Sequence, residues 1–214
     1  MNPDKCVLGV PSLTFLGHTI SPSGVLPLQD RVSAIRQFPL PETQRQLRQF
    51  LGMITFYHRF IPSAAALLTP LTSLLKGKKR GQSTKVTWSD AARQTFSDAK
   101  SALAEATLLV FPQESAPTRL QVDASEFAVG GVLQQYQNEM WVPLAFFSKK
   151  LQPAETRYSA FSRELLAMYL ATKHFRYFLE GRSFHILTDH KPLIFAMQSR
   201  NERHSPREAR PVHH

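Results

Sequence analysis

The chain has 214 residues, of which 43% are hydrophobic and 20% charged, so it can bury one or two cores and disorder throughout is excluded. A single cysteine, Cys6, excludes an internal disulfide and a multi-cysteine zinc cluster. The formal net charge of +10 favours a polyanionic partner such as nucleic acid, with solubility alone as the alternative.

The basic charge is concentrated in the first half of the chain. Residues 1–110 contain 13 Lys and Arg against 6 acids, whereas residues 111–214 contain 13 against 10. The sequence shows neither an apolar run long enough to cross a bilayer nor a signal-peptide pattern. We therefore expect no membrane partner and a cytoplasmic or nuclear location.

The first predicted elements are a hairpin and a short helix. Residues 21–24, Ser-Pro-Ser-Gly, form a turn signal between strand-like arms at residues 14–20 and 25–26. A helix is predicted over residues 30–38, because Pro39 follows it directly.

Thr43 can cap a second helix with an apolar stripe at helical spacing. The stripe consists of Leu47, Phe50, Leu51, Ile54 and His58. Three arginines lie largely off it, namely Arg45, Arg48 and Arg59. They are candidate contacts for a nucleic-acid backbone, although a solvated charged face is the commoner explanation for such residues.

Further helices are predicted from Pro62 to about Lys76 and, capped by Ser89, to about Ala104. Between them, residues 76–85 form a basic, glycine-rich stretch typical of a loop or linker. The loop at residues 114–117 marks a domain boundary, so the second domain begins near residue 113.

Three carboxylates stand out in the second half. Asp123 ends an alternating strand at residues 119–122, and Asp189 follows a strand at residues 184–188. Glu164 lies in a run with helical periodicity. Two strand ends and one helical turn can converge, and clustered carboxylates are the ligands that Mg²⁺ prefers. The alternative is that each acid is a solvated surface residue.

Neighbouring residues supply weaker signals. Ser125 could contact a phosphate or close its own turn, and His190 is suited to capping or substrate contact more than to magnesium ligation. Gly130 and Gly131 within an apolar strand indicate a bulge or a close backbone approach, either by nucleic acid or by tight packing of the sheet.

From Pro117 to about Arg210 the chain resembles the ribonuclease H domain of gypsy-type LTR retrotransposon Pol polyproteins. The resemblance rests on these motifs in order: VDAS, GGVLQQ, PLAFFSKKL, AETRYSAFSRELLA, KHFRYFLEG and FHILTDHKPL. Upstream, the motifs KCV, FLGH, FLG and FYHRFIP resemble the end of the palm and the thumb or connection region of the same family's reverse transcriptase.

The resemblance implies an α/β fold, α+β overall: a helical thumb or connection segment followed by a truncated ribonuclease H-like mixed sheet with flanking helices. It implies a palm hairpin at 1–26, the helical segment at 27–112 and the ribonuclease H-like domain at 113–214. It also implies hydrolysis of the RNA strand of an RNA:DNA hybrid, with Asp123, Glu164 and Asp189 as catalytic ligands of two Mg²⁺ ions. Mn²⁺ is a potential substitute.

The same resemblance places further parts of the Pol polyprotein outside these residues. The fingers and palm, the end of the ribonuclease H domain and the integrase would be partners in the full element. No Tyr-X-Asp-Asp polymerase motif occurs in the sequence. The fourth carboxylate usual in the family is also expected beyond the chain. Two alternatives therefore stay open: a catalytically dead nucleic-acid-binding remnant, and a fragment that folds poorly alone.

Overall fold

The computed structural model describes residues 7, 9–75 and 85–198, with side chains described as far as Phe195. Cys6, most of the basic stretch at 76–85 and the polar tail at 199–214 lie outside the described residues. No helix within the described ranges is both long and apolar enough to span a membrane.

The chain begins with a small antiparallel sheet formed by β1 (Leu13–Phe15), β2 (His18–Ser21) and β3 (Gly24–Pro27). The predicted turn is confirmed between β2 and β3, where Ser21 pairs with Gly24. The arm predicted as one strand at residues 14–20 is instead divided into β1 and β2 by a turn at residues 16–17. Gly24 adopts a φ of 140° and a Cβ there would collide with the Leu109 carbonyl, so only glycine fits. Val25 and Leu109 exchange backbone hydrogen bonds of 2.8 and 3.1 Å.

Two predicted helix caps are confirmed. Helix α1 (Gln29–Arg36) is followed by α2 (Gln44–Phe56), where the Thr43 hydroxyl accepts from the Gln46 amide and the Gln46 side chain accepts from the Thr43 amide. This reciprocal pair is a capping box. Helix α5 (Asp90–Ala104) begins after Ser89, whose hydroxyl accepts from the Ala92 amide.

The single helix predicted from Pro62 to Lys76 is wrong. Two short helices, α3 (Ala64–Leu67) and α4 (Thr69–Ser73), occupy this stretch, and Leu68 ends one and begins the other. Pro70 lies in the first turn of α4, where its missing N–H and fixed φ are tolerated. A proline there starts a new helix, which the sequence pattern had merged with the preceding one.

Helices α1 to α5 enclose the first hydrophobic core. Phe50 and Phe60 are fully buried, and the centroids of the Phe50 and Phe96 rings lie 4.4 Å apart. The Trp88 indole donates a 2.7 Å hydrogen bond to the Pro41 carbonyl. Phe50, Phe60 and Phe96 belong to one continuous cluster of buried side chains in the helical segment.

A mixed four-stranded sheet follows. Its strands are β4 (Thr118–Ala124), β5 (Ala128–Gln137), β6 (Met140–Lys150) and β7 (Phe184–Leu187), in the spatial order β6-β5-β4-β7. Neighbours are antiparallel except β4 and β7, which are parallel. The helices of this part are α6 (Ala160–His174), α7 (Arg176–Leu179) and α8 (Lys191–Gln198). The predicted α+β architecture is confirmed.

The sheet is covered on both faces. On one face, α6 packs so closely that a Cβ on Gly131 would lie 3.2 Å from the Ala171 Cβ. The close approach predicted at the glycines is therefore made, at Gly131, by helix α6. The alternative prediction, a bulge at these glycines, is not seen there, because the shift in strand register lies between Leu133 and Gln134. On the other face, the Ala65 amide donates a 2.9 Å hydrogen bond to the Ser148 hydroxyl, which joins the helical segment to β6.

Candidate metal centre

Strands β4 and β7 bring two of the predicted carboxylates to the same edge of the sheet. Their parallel register pairs Gln121 with Leu187. Asp123 and Asp189 each follow two residues after the members of this pair. Because parallel strands end at the same edge, the two aspartates become neighbours there. Both residues are exposed.

The third carboxylate comes from helix α6. Glu164 lies one turn into the helix, and it is buried with 5% relative exposure. Its Oε1 accepts a 3.1 Å hydrogen bond from the Ala124 amide, and its Oε2 accepts a long hydrogen bond of 3.5 Å from the Thr188 hydroxyl. Glu164 is therefore held between the end of β4 and the end of β7.

The three predicted residues meet at one point. One carboxylate oxygen from each of Asp123, Glu164 and Asp189 lies within 4.8 Å of the others. Burial raises the pKa of the Glu164 carboxyl, the charges of Asp123 and Asp189 raise it further, and the Ala124 amide and the His190 charge oppose this rise. Uncompensated like charges at this spacing are costly.

The donor set fits a hard divalent cation. All three side chains offer carboxylate oxygens, which are the ligands that magnesium and manganese accept, and they converge from separate elements. A cation would oppose both the burial and the repulsion from Asp123 and Asp189 that raise the pKa of Glu164. Two exposed ligands and one buried ligand leave the solvent side open to a substrate.

Two predicted neighbours lie beside the cluster, and their hydrogen bonds are local. The Ser125 hydroxyl donates to the Ala128 carbonyl at 3.0 Å and accepts from the Ala128 amide at 3.0 Å, so it closes its own turn. The His190 amide donates to the Thr188 hydroxyl. The His190 ring packs edge-on against Phe161, and its buried Nδ1 has no partner among the described residues.

The three predicted arginines lie on the helical segment. Arg45 is exposed, whereas Arg48 donates a 3.3 Å hydrogen bond to the Gln44 side chain. Arg59 is half-buried with its guanidinium carbon 5.6 Å from the centre of the Phe60 ring, and burial lowers its pKa. A nucleic-acid role for these residues stays a prediction.

Sequence reasoning missed two groups that position Glu164. These are the Ala124 backbone amide and the Thr188 hydroxyl. Thr188 directly precedes Asp189, and a hydroxyl residue next to a candidate ligand is the signal that could have found it. A backbone amide carries no signal of its own in the sequence.

Residues 88–186 match the sequence family described as "RNase H-like domain found in reverse transcriptase". Over 190 residues the chain is 37% identical to the "Retrovirus-related Pol polyprotein from transposon 297" of Drosophila melanogaster. The chain is related to retrotransposon Pol polyproteins. The "Transposon Tf2-3 polyprotein" of Schizosaccharomyces pombe is a second such relative, 33% identical over 213 residues.

These Pol relatives are much longer than the chain. The matches cover 89% of the chain but 17% of the transposon 297 protein, and 98% of the chain but 16% of the Tf2-3 protein. The chain thus spans about a sixth of the Pol polyproteins that it matches.

Solved structures share the fold. A foamy viral protease-reverse transcriptase in complex with dsDNA superposes with a TM-score of 0.74 at 20% identity, covering 94% of this chain and 41% of that one. A foamy viral protease-reverse transcriptase in complex with RNA/DNA hybrid gives a TM-score of 0.69 at 22% identity, covering 82% and 23%. The fold shared with these structures therefore extends over the helical segment and the mixed sheet.

Proposed function

We propose that the chain is the hydrolytic part of a retrotransposon reverse transcriptase and cleaves the RNA strand of RNA:DNA hybrids. The observation that carries this proposal is the convergence of Asp123, Glu164 and Asp189 within 4.8 Å at the edge of an RNase H-like sheet. The proposal covers hydrolysis only. It assigns no nucleotide polymerisation to these residues.

In this proposal the three carboxylates would hold two Mg²⁺ ions, or Mn²⁺ in their place. Such ions would supply positive charge that stabilises the attacking and leaving oxygens of a phosphodiester. Asp123 and Asp189 present exposed oxygens toward the substrate, and the buried Glu164 is oriented by Ala124 and Thr188. Preorganised ligands of this kind require little rearrangement when the ions and the scissile phosphate bind.

We also propose that the two parts of the chain have different roles. The hairpin at 1–26 and the helices at 27–112 would position the hybrid through its backbone, and 113–214 would cut it. Two separate hydrophobic cores support the division, one formed between Val32 and Leu109 and the other between Leu120 and Leu193. The family match begins at Trp88, so α5 accompanies the nuclease-like sequence although it packs in the first core.

The deciding experiment is cleavage of an end-labelled RNA:DNA hybrid in Mg²⁺ and in Mn²⁺, with Asp123→Asn and Asp189→Asn beside the unchanged chain. We expect cleavage by the unchanged chain and a loss of at least about a hundredfold in both variants, since each removes an ion ligand. Exposed Asp98→Asn on α5 is the matched control and should cleave normally.

Thermal unfolding distinguishes inactivity from misfolding. A folded chain whose native state alone binds the ion gains about 2.7 kcal/mol when the ion is present at ~100 times its dissociation constant. We expect a higher melting temperature with Mg²⁺ and little change in Asp123→Asn. Hybrid binding without cleavage by a cooperatively folded chain would instead support a binding remnant, which the +10 net charge also favours.

A further inference from the structure

We propose that Ser63, a residue of the helical segment, is a substrate contact of the metal centre and hydrogen-bonds the sugar–phosphate backbone of the strand held there. This inference rests on the proposed nuclease function and extends it across the boundary between the two units. The helical segment would then form part of the active groove in addition to gripping the hybrid at a distance.

Ser63 lies over the face of the sheet that carries Asp123. Asp123 pairs with Gly130, and Gly130 pairs with Ser148, so these three residues form one row across three strands. Directly paired residues share a face of the sheet. The Ser63 Oγ lies 3.7 Å from the place that a Cβ on Gly130 would occupy. Its hydroxyl therefore lies over Gly130, the residue that is one strand spacing, ~5 Å, from Asp123.

The middle position of that row carries no side chain. Because residue 130 is glycine, no side chain at that position stands between Asp123 and the Ser63 hydroxyl. Ser148, the next residue of the row, is already engaged, because its hydroxyl accepts a 2.9 Å hydrogen bond from the Ala65 amide and fixes α3 against β6. A backbone that reaches Asp123 can thus meet the Ser63 hydroxyl at the next position of the row.

Ser63 itself has a strained backbone. Its φ of 49° and ψ of 32° place it in the left-handed region, which is unfavourable for a residue other than glycine. Its hydroxyl does not cap α3 and, within the described part of the chain, makes no other hydrogen bond. Ser63 is also exposed. A strained residue with a free hydroxyl beside a carboxylate cluster is suited to contact a ligand.

Replacing Ser63 by glycine distinguishes an effect on stability from the loss of a substrate contact. Ser63→Gly relieves the left-handed strain and removes the hydroxyl, so it should raise the melting temperature and weaken hybrid binding at the same time. Asn138→Gly is the matched control, because Asn138 has a φ of 51° in the turn at the opposite end of β5. It should also raise the melting temperature, but it should leave hybrid binding unchanged.

The readout is the dissociation constant of a fluorescent RNA:DNA hybrid, measured by anisotropy in Ca²⁺ to suppress turnover. We expect Ser63→Gly to weaken binding about fivefold, the size of one ordinary hydrogen bond. An all-DNA duplex of the same sequence identifies the partner atom. A penalty that persists on DNA assigns the contact to phosphate, and one that vanishes assigns it to the 2′-hydroxyl.

If Ser63→Gly binds the hybrid as tightly as the unchanged chain does, the inference is overturned and the proposed nuclease function stands. Equal losses in Ser63→Gly and Asn138→Gly also overturn it, because they would trace the effect to backbone conformation. No hybrid binding by the unchanged chain would remove the proposed function and this inference together, whereas cleavage that depends on Asp123 establishes the function independently.

Discussion

Glu164 and Ala124 are joined by a 3.1 Å hydrogen bond from the Ala124 amide to the Glu164 carboxylate, and this bond fixes helix α6 to the end of strand β4. Asp123 directly precedes Ala124, so the bond sets the distance between two of the three carboxylates. Glu164 is the buried member of the cluster, and burial raises the pKa of its carboxyl.

The raised pKa of Glu164 makes stability depend on pH when no divalent ion is bound. The folded protein holds the Glu164 proton more tightly than the unfolded chain does, so this stabilisation is complete below the ordinary pKa of 4.5 and is lost as pH rises through the raised pKa. In chelator near neutral pH, Glu164→Gln should therefore melt at a higher temperature than the unchanged chain. The two should converge in acid.

Thermal melts across a pH series in EDTA test this expectation. Glu105→Gln, an exposed carboxylate after α5, serves as the control and should follow the unchanged chain. With saturating Mg²⁺ the order should reverse, because the amide introduced by Glu164→Gln offers no negative charge to the ion. A pH-independent difference between the two proteins in chelator would contradict the assigned cause of the raised pKa.

Two glycines should respond in opposite directions to alanine. Gly131→Ala places a methyl group 3.2 Å from the Ala171 Cβ and 3.3 Å from the Gln121 carbonyl oxygen, and neither atom is the end of a flexible side chain. We expect a loss of about 1–3 kcal/mol in the free energy of unfolding. Gly52→Ala, on the open face of α2, should gain about 1 kcal/mol from helix propensity.

Urea unfolding of both variants gives the two free energies directly. A stable Gly131→Ala protein would show that α6 can move away from the sheet. Glu164 lies on that helix, so hybrid cleavage by this variant would then report how far such a movement disturbs the carboxylates.

The basic helical face should make binding sensitive to salt. If Arg45 and Arg48 contact phosphates, each change to Gln should reduce the slope of log Kd against log salt by about 0.9. Arg176→Gln is the control, because Arg176 already forms an exposed 3.4 Å ion pair with Glu180. Unchanged slopes in both α2 variants would assign these arginines to a solvated face.

The sequence predicted the elements that carry local signals. Thr43 and Ser89 were recognised as caps, and both make the predicted hydrogen bonds. The three carboxylates were predicted to converge from two strand ends and a helical turn, and they do. These successes follow because caps and strand ends are encoded by residues close together in the chain.

Apart from the convergence of the three carboxylates, contacts between distant segments could not be predicted. Nothing near Ser148 in the sequence indicates that its hydroxyl accepts from Ala65, and nothing near Gly130 indicates that Ser63 lies over it. The break between α3 and α4 was missed for a different reason, because apolar periodicity continues across Leu68 and conceals the new start before Pro70.

The parallel pairing of β4 with β7 has a consequence for the order of folding. These partners are separated along the chain by β5, β6 and α6, so their pairing closes a long loop, whereas β4, β5 and β6 are joined by short turns and pair locally. High contact order slows such a step. We therefore expect Asp189 to join Asp123 only after β4, β5 and β6 have paired, so that the carboxylate cluster is the last part of the sheet to be assembled.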